Sequence, residues 1–203
     1  MNLSVRELAR RLKLSPSLIS QIERGKATPS VGTLYSMTTE LGLSMGTLFS
    51  ETEGGTPAGS FQSALARIQD GGANGAQPTA LEGSSPVVGP DDRKRIQLDS
   101  GVIWERLTPG TDPNVDFLEV YYEPGGESCD ANALVRHAGR EYGHVLSGTL
   151  GVTLGFDTYV LEAGHSISFD STIPHRLATI GDVPVRAIWF VVGRLGDSRR
   201  TDT

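Results

Sequence analysis

Two patterns of apolar and polar positions divide this chain. Up to about residue 50 the apolar residues recur at helical spacing, and from about residue 87 they fall in short alternating runs. In the first part Val5, Leu8, Ala9 and Leu12 share one helical face. Ser4 stands before them as an N-cap, and Glu7 at the third helical position completes a capping box. Leu18, Ile19 and Ile22 mark a second helix. Ser15 caps it, and Pro16 fills its first position, where no N–H is needed. Gly25 ends it by taking the left-handed conformation of a C-cap. Lys13-Leu14 is the short turn between the two helices. Pro29-Ser30 opens a third helix, with Val31, Leu34, Met37 and Leu41 on one face and Gly42 as its stop. Ser44 caps a short fourth helix through Leu48 and Phe49.

The later texture predicts strands over Val102 to Leu107, Val115 to Tyr122, Glu141 to Ser147, Thr149 to Leu154, Thr158 to Leu161, Ser166 to Phe169 and Val185 to Val191. Turn signals separate them at Pro109-Gly110, Pro124-Gly125-Gly126, Ser147-Gly148, Ala163-Gly164 and Gly181-Asp182. Many short antiparallel strands across residues 87–196 imply an all-β sandwich or barrel of the jelly-roll kind. Residues 51–86 read as a flexible linker. Gly54-Gly55, Gly71-Gly72 and Ser84-Ser85-Pro86 punctuate it, and such a composition buries too little apolar surface to offset ordering. Within it Phe61, Leu65 and Ile68 share a face, consistent with a short helix at a dimer contact. Residues 197–203 read as a tail. The expected fold class is therefore multidomain, an all-α head followed by an all-β body.

Charge sharpens the division. The 203-residue chain has a net charge of −6, which by itself argues against a nucleic-acid partner. Residues 1–50, however, carry Arg6, Arg10, Arg11, Lys13, Arg24 and Lys26 against Glu7, Glu23 and Glu40, a net of +3, so the remainder carries −9. A basic head on an acidic body suits a DNA reader joined to a second function. The single cysteine, Cys129, excludes an internal disulfide and fits a reducing cytosol. The chain opens without a signal-peptide pattern, and no run is long enough to span a membrane, so a cytoplasmic protein is expected.

The second helix carries Ser17, Ser20, Gln21 and Arg24 opposite its apolar face, followed by Lys26 in the turn. These hydrogen-bonding and cationic side chains suit base edges and phosphates. With the turn before it, the stretch LKLSPSLISQIERGKATPS resembles the signature of the Xre/Cro/C1-type helix-turn-helix family. That resemblance implies double-stranded DNA as a partner, with Ser15, Ser17, Ser20, Gln21, Arg24, Lys26 and Arg10 at the interface. The family normally has one more helix, before Met1, so the expectation is either a start assigned too late or a four-helix head that lacks the family's first helix. One reading helix reaches only a few base pairs, so a homodimer on two half-sites is expected.

The body has two passages of its own. His137, three spacers, Glu141, six spacers and Gly148 form the first; Gly164 and Pro174-His175 anchor the second. They resemble the two motifs of the cupin family, and the whole chain resembles Xre-type regulators with a C-terminal cupin sensor. The resemblance implies a small-molecule effector in the barrel and a divalent metal held by His137, Glu141 and His175. Val135 stands where the family has another histidine, and Thr179 where it commonly has asparagine, so a metal-free pocket remains an alternative. His144 lies three residues past Glu141, on the opposite strand face, and is expected to be structural. His165 is expected to serve a turn. Trp104, Tyr121, Tyr122, Phe169 and Trp189 are expected in the core, and Arg136 and Arg176 flank the histidines. The expected function is a non-enzymatic transcriptional regulator. The alternative is a cupin metalloenzyme, because the His-Ala-Gly-x-Glu passage also resembles that of hydroxypropylphosphonate epoxidase.

Overall fold

The structure, a computed structural model, describes residues 4–41, 45–49, 85–112 and 114–193. The expected Gly42 stop, the Ser44 cap, the Phe61 to Ile68 helix and the 197–203 tail lie outside the described residues, as does the linker apart from 85–86.

The head is helical. Helix α1 spans Val5–Leu12 and α2 spans Pro16–Glu23. The Ser4 hydroxyl accepts from the Glu7 N–H at 3.2 Å, and the Ser15 hydroxyl accepts from the Leu18 N–H at 3.1 Å. Only half of the expected capping box is used. The Glu7 carboxylate turns away to Arg10 (2.8 and 2.6 Å) and Arg11 (2.8 Å), because two guanidinium groups one turn ahead are stronger donors than one backbone N–H. Lys13, in the left-handed conformation at φ 56°, makes the tight turn between α1 and α2. Helix α2 ends in a Schellman arrangement. Gly25, at φ 65°, donates to the Ile22 carbonyl at 3.0 Å, and Lys26 donates to the Gln21 carbonyl at 2.8 Å. Helix α3 (Val31–Leu41) and the one-turn α4 (Gly46–Phe49) follow. Ile19, Ile22, Leu34 and Met37 are fully buried. Each such side chain contributes roughly 1.5–3 kcal/mol relative to exposure.

Among the described residues the body has nine antiparallel strands in two sheets. Strands β1 (Arg95–Leu98), β2 (Val102–Arg106), β3 (Val115–Tyr122), β9 (Val185–Val192), β4 (Arg140–Ser147) and β7 (Ser166–Asp170) form one, in the order β1-β2-β3-β9-β4-β7. Strands β6 (Asp157–Glu162), β5 (Thr149–Leu154) and β8 (His175–Thr179) form the other, in the order β6-β5-β8. Strands β3 and β5 have the extents the sequence predicts. Strands β1 and β8 are additional to the predicted ones. The core lies between the sheets, where Trp104, Val120, Val145, Leu150, Val152, Leu177 and Ala187 are buried. Among the described residues no helix is long and apolar enough to cross a membrane.

The head packs onto the body through α3. The Gly32 N–H donates to the Ser128 carbonyl at 3.0 Å, and the Arg106 guanidinium lies 5.8 Å from the centre of the Phe49 ring.

Candidate functional site

Two places gather the residues singled out by the sequence. The first is the outer face of α2. Ser15, Ser17, Gln21, Arg24 and Lys26 are exposed and Ser20 is half-buried. Ser17, Gln21 and Arg24 are spaced four and three apart, so they form one stripe along the helix. Arg24 Nε donates to the Ser20 carbonyl at 3.0 Å, which fixes the base of its side chain. Arg10 is exposed on α1, but its guanidinium is engaged by Glu7.

The second place lies between the sheets, directly under the head. Strand alternation on β4 turns Glu141, Gly143 and Val145 inward and Tyr142 and His144 outward. His175 is the first residue of β8. His137 lies on the extended segment leading into β4, and backbone hydrogen bonds pin that segment. Val135 and His175 exchange both of theirs (2.9 and 2.8 Å), the His137 N–H donates to the Ser171 carbonyl at 3.0 Å, and the Ser171 N–H donates to the Gly139 carbonyl at 3.0 Å. Gly139, at φ 105°, makes the bend into β4 that a side chain would strain.

Glu141 Oε1 lies 3.0 Å from His137 Nε2 and 3.2 Å from His175 Nε2, and all three residues are buried. The other ring nitrogens decide the chemistry. His137 Nδ1 is 3.0 Å from the Ala138 carbonyl, and His175 Nδ1 is 2.9 Å from the Ile173 carbonyl. A carbonyl oxygen only accepts, so each Nδ1 carries a proton. A neutral ring in this tautomer presents its Nε2 lone pair to the centre. His137 Nε2 and Glu141 Oε1 are buried without a well-aligned hydrogen bond despite their 3.0 Å separation. Three lone-pair donors thus converge on one point, which is a favourable arrangement only with a positive charge there. Glu141 Oε2 is fixed separately by the Trp189 indole N–H at 2.7 Å.

Protonation of the imidazoles is the alternative to a cation: burial pushes the Glu141 carboxyl up, but imidazole N–H groups turned toward it override burial and hold it at about 2. Burial also opposes charge on His175, and the Glu141 carboxylate overrides it to raise the imidazole above its ordinary value. A proton on His175 is one way to balance the carboxylate. A divalent cation is the other, and the donor set fits it: two imidazole nitrogens and one carboxylate oxygen, each oriented by a second partner, with coordination positions to spare.

The remaining residues are distributed as follows. Trp104, Tyr122, Trp189, Leu118, Val120 and Leu177 line the cavity, while Phe169 packs 5.1 Å from His175. Tyr121 faces outward, with its hydroxyl on Glu119. His144 Nδ1 pairs with the Ser166 hydroxyl at 2.8 Å, and His165 Nδ1 accepts from the Glu162 N–H at 3.1 Å within a turn. Arg176 binds Glu127 and the Cys129 carbonyl, outside the cavity, and Arg136 is exposed. Sequence reasoning missed Tyr35 of α3. Its ring stacks on His137, with centroids 4.3 Å apart and planes 13° from parallel. The cavity it roofs measures about 20 Å³.

Comparison with known proteins agrees with both halves. Residues 1–48 match the family described as helix-turn-helix, and residues 118–191 match the family described as cupin domain. The chain joins a helix-turn-helix domain to a C-terminal cupin domain, the architecture of Xre-type transcriptional regulators. It is 27% identical over 178 residues to the HTH-type transcriptional regulator PuuR of Escherichia coli K12, which covers 87% of this chain and 80% of that protein. An HTH_3 family transcriptional regulator from Vibrio cholerae has the same fold, with a TM-score of 0.53, 20% identity, and coverage of 93% of this chain and 86% of that one.

Proposed function

We propose that this chain is a cytoplasmic transcriptional regulator that binds roughly palindromic double-stranded DNA as a homodimer and senses a small molecule in its cupin cavity. The observation that carries the reading is α2 itself. Its two ends are capped, its apolar face is buried, and its hydrogen-bonding stripe of Ser17, Gln21 and Arg24 is left to solvent. Gln21 reads a base edge. Ser15, Ser20, Lys26 and Arg10 position the helix on phosphates, with Arg10 exchanging Glu7 for phosphate. His137, Glu141 and His175 would hold a divalent metal, whose chemistry would be to supply the positive charge that the converging donors lack and to anchor an acidic or oxygen-rich effector. The domain limits proposed are 1–50, 51–86, 87–196 and 197–203.

A metalloenzyme would use the same three residues. The capped α2 with its exposed polar stripe favours the regulator, because an enzyme has no need for such a surface. The test is a fluorescence-anisotropy titration of DNA from upstream of the protein's own gene, with the protein first stripped by a chelator and then resupplied with Zn²⁺, Fe²⁺ or Ni²⁺. Binding to that DNA and a severalfold change in Kd with one of the ions are expected. No binding at low salt would refute the regulator, and binding indifferent to every ion would refute the metal.

A further inference from the structure

We propose that the DNA-binding head is the lid of the cupin cavity, with Tyr35 as a ligand-contacting wall. An effector larger than an ion or a water must then lift α3 off the body. This rests on the reading of the cavity as the effector site.

Three observations carry the inference. The first is the identity of the roof. Tyr35 comes from α3 of the head, yet it stacks flat on His137 and meets Trp104 edge-on at 5.5 Å and 64°. Only 5% of it remains exposed. The second is how closely α3 sits. A Cβ on Gly32 would overlap Val135 Cγ1 and lie 3.5 Å from Cys129 Cβ, so no side chain fits there while the head is docked against Val135. The third is size. Pockets for small organic ligands run to roughly 300–1,000 Å³, against about 20 Å³ here. Most of the other walls come from the hydrogen-bonded strands β2, β3, β4, β8 and β9, which resist expansion. The head's contacts with the body include those of the Tyr35 ring, a backbone hydrogen bond from Gly32, the Phe49–Arg106 contact and the approach of Gly46 to Thr111, and among the described residues no strand ladder joins the two, so the head is the wall that yields.

The consequence is a direct coupling. Helix α3 packs on α1, and α1 packs on α2. An effector that displaces Tyr35 therefore moves α3 and, through α1, the support of the reading helix. Effector and docked head compete for one volume, and linkage requires DNA to alter effector affinity by the same factor by which the effector alters DNA affinity.

The test needs no effector, so its failure is separate from failure of the sensing reading. Trp104 and Trp189 are the chain's two tryptophans, and both line the cavity. In the full-length protein, acrylamide quenching of their fluorescence reports access to it. Gly32→Glu cannot dock and Tyr35→Ala removes the roof, so each should raise the quenching constant at least threefold with cooperative unfolding retained. Gly32→Cys combined with Val135→Ala, which removes the overlapping methyl, provides the closed state. The new Cβ would lie within the 3.5–4.5 Å of Cys129 Cβ that a disulfide requires. Mild oxidation should form that bond and keep quenching at the wild-type level. Folded Gly32→Glu or Tyr35→Ala protein with wild-type quenching, or oxidised double variant with no disulfide to Cys129, would overturn the proposal.

Discussion

The indole N–H of Trp189 donates to Glu141 Oε2 at 2.7 Å, leaving Oε1 to face the two imidazoles. One oxygen is thus held by the fold and the other is presented to the centre. Trp189→Phe keeps an aromatic ring but frees Oε2, so the carboxylate loses its fixed orientation. Loss of such an orienting partner typically lowers metal affinity about 10–100-fold. Competition against a chromophoric chelator should show a loss in that range, and unchanged affinity would mean that the hydrogen bond does not position Glu141.

Gly143 lies under the same indole. A Cβ there would overlap Trp189 Cζ3 and stand 2.5 Å from Trp189 Cε3, closer than carbon atoms can pack. Gly143→Ala must push the ring away from Glu141. Overpacking of this kind costs about 1–3 kcal/mol, and the displaced indole should reproduce the metal defect of Trp189→Phe. Denaturant unfolding and chelator competition measure the two effects, and a fully stable Gly143→Ala protein with intact metal binding would contradict this geometry.

Glu119 sets a pH dependence away from the cavity. It is 2% exposed on the outer face of β3 and accepts from Arg93 at 2.7 Å, from Tyr121 Oη at 2.9 Å and from Arg186. Burial raises its carboxyl, and these donors more than reverse that, leaving it below the ordinary value of 4.5. A depressed carboxylate stabilises the fold fully above its unfolded pKa, and the contribution fades as pH falls through the folded one. Glu119→Gln should therefore destabilise most at pH 7 and least near pH 3. A loss of about 2 kcal/mol at pH 7 is expected, less than for a fully buried pair because Arg186 is half exposed. Urea unfolding at the two pH values checks it, and an equal loss at both would show that the carboxylate charge is not involved.

Elements with local signals were legible in the sequence. Ser4, Ser15, Pro16 and Gly25 act within a few residues of themselves, and they delimit α1 and α2. Strands β3 and β5 announce themselves by runs of β-branched and aromatic residues. Strand β1 is only four residues long with Arg95 and Gln97 on one face, and β8 contains Arg176 and Ala178, so both gain strand character from the neighbours they pair with. The placement of His137, Glu141 and His175 around one point follows the motif spacing. Tyr35 was not legible because nothing near it in sequence buries it. Its partners, His137 and Trp104, are some 70–100 residues away and belong to the other domain. The Trp189–Glu141 bond is hidden for the same reason, since it depends on the β4–β9 register that sets Gly143 opposite Trp189.

Gln21 is the side chain through which α2 would read a base. Gln21 is exposed in the middle of the polar stripe, where an amide can pair bidentately with adenine at a cost of about 1–3 kcal/mol when lost. Lys26→Ala removes a phosphate contact instead and should weaken all sequences alike while flattening the salt dependence. The decisive measurement is a fluorescence-anisotropy titration of Gln21→Ala against the upstream DNA and its single-base variants at fixed salt. A weakening of roughly 5–150-fold, with discrimination lost at one base pair per half-site, is the predicted result. Unchanged affinity and unchanged sequence preference would contradict the assignment of α2 as the reading helix.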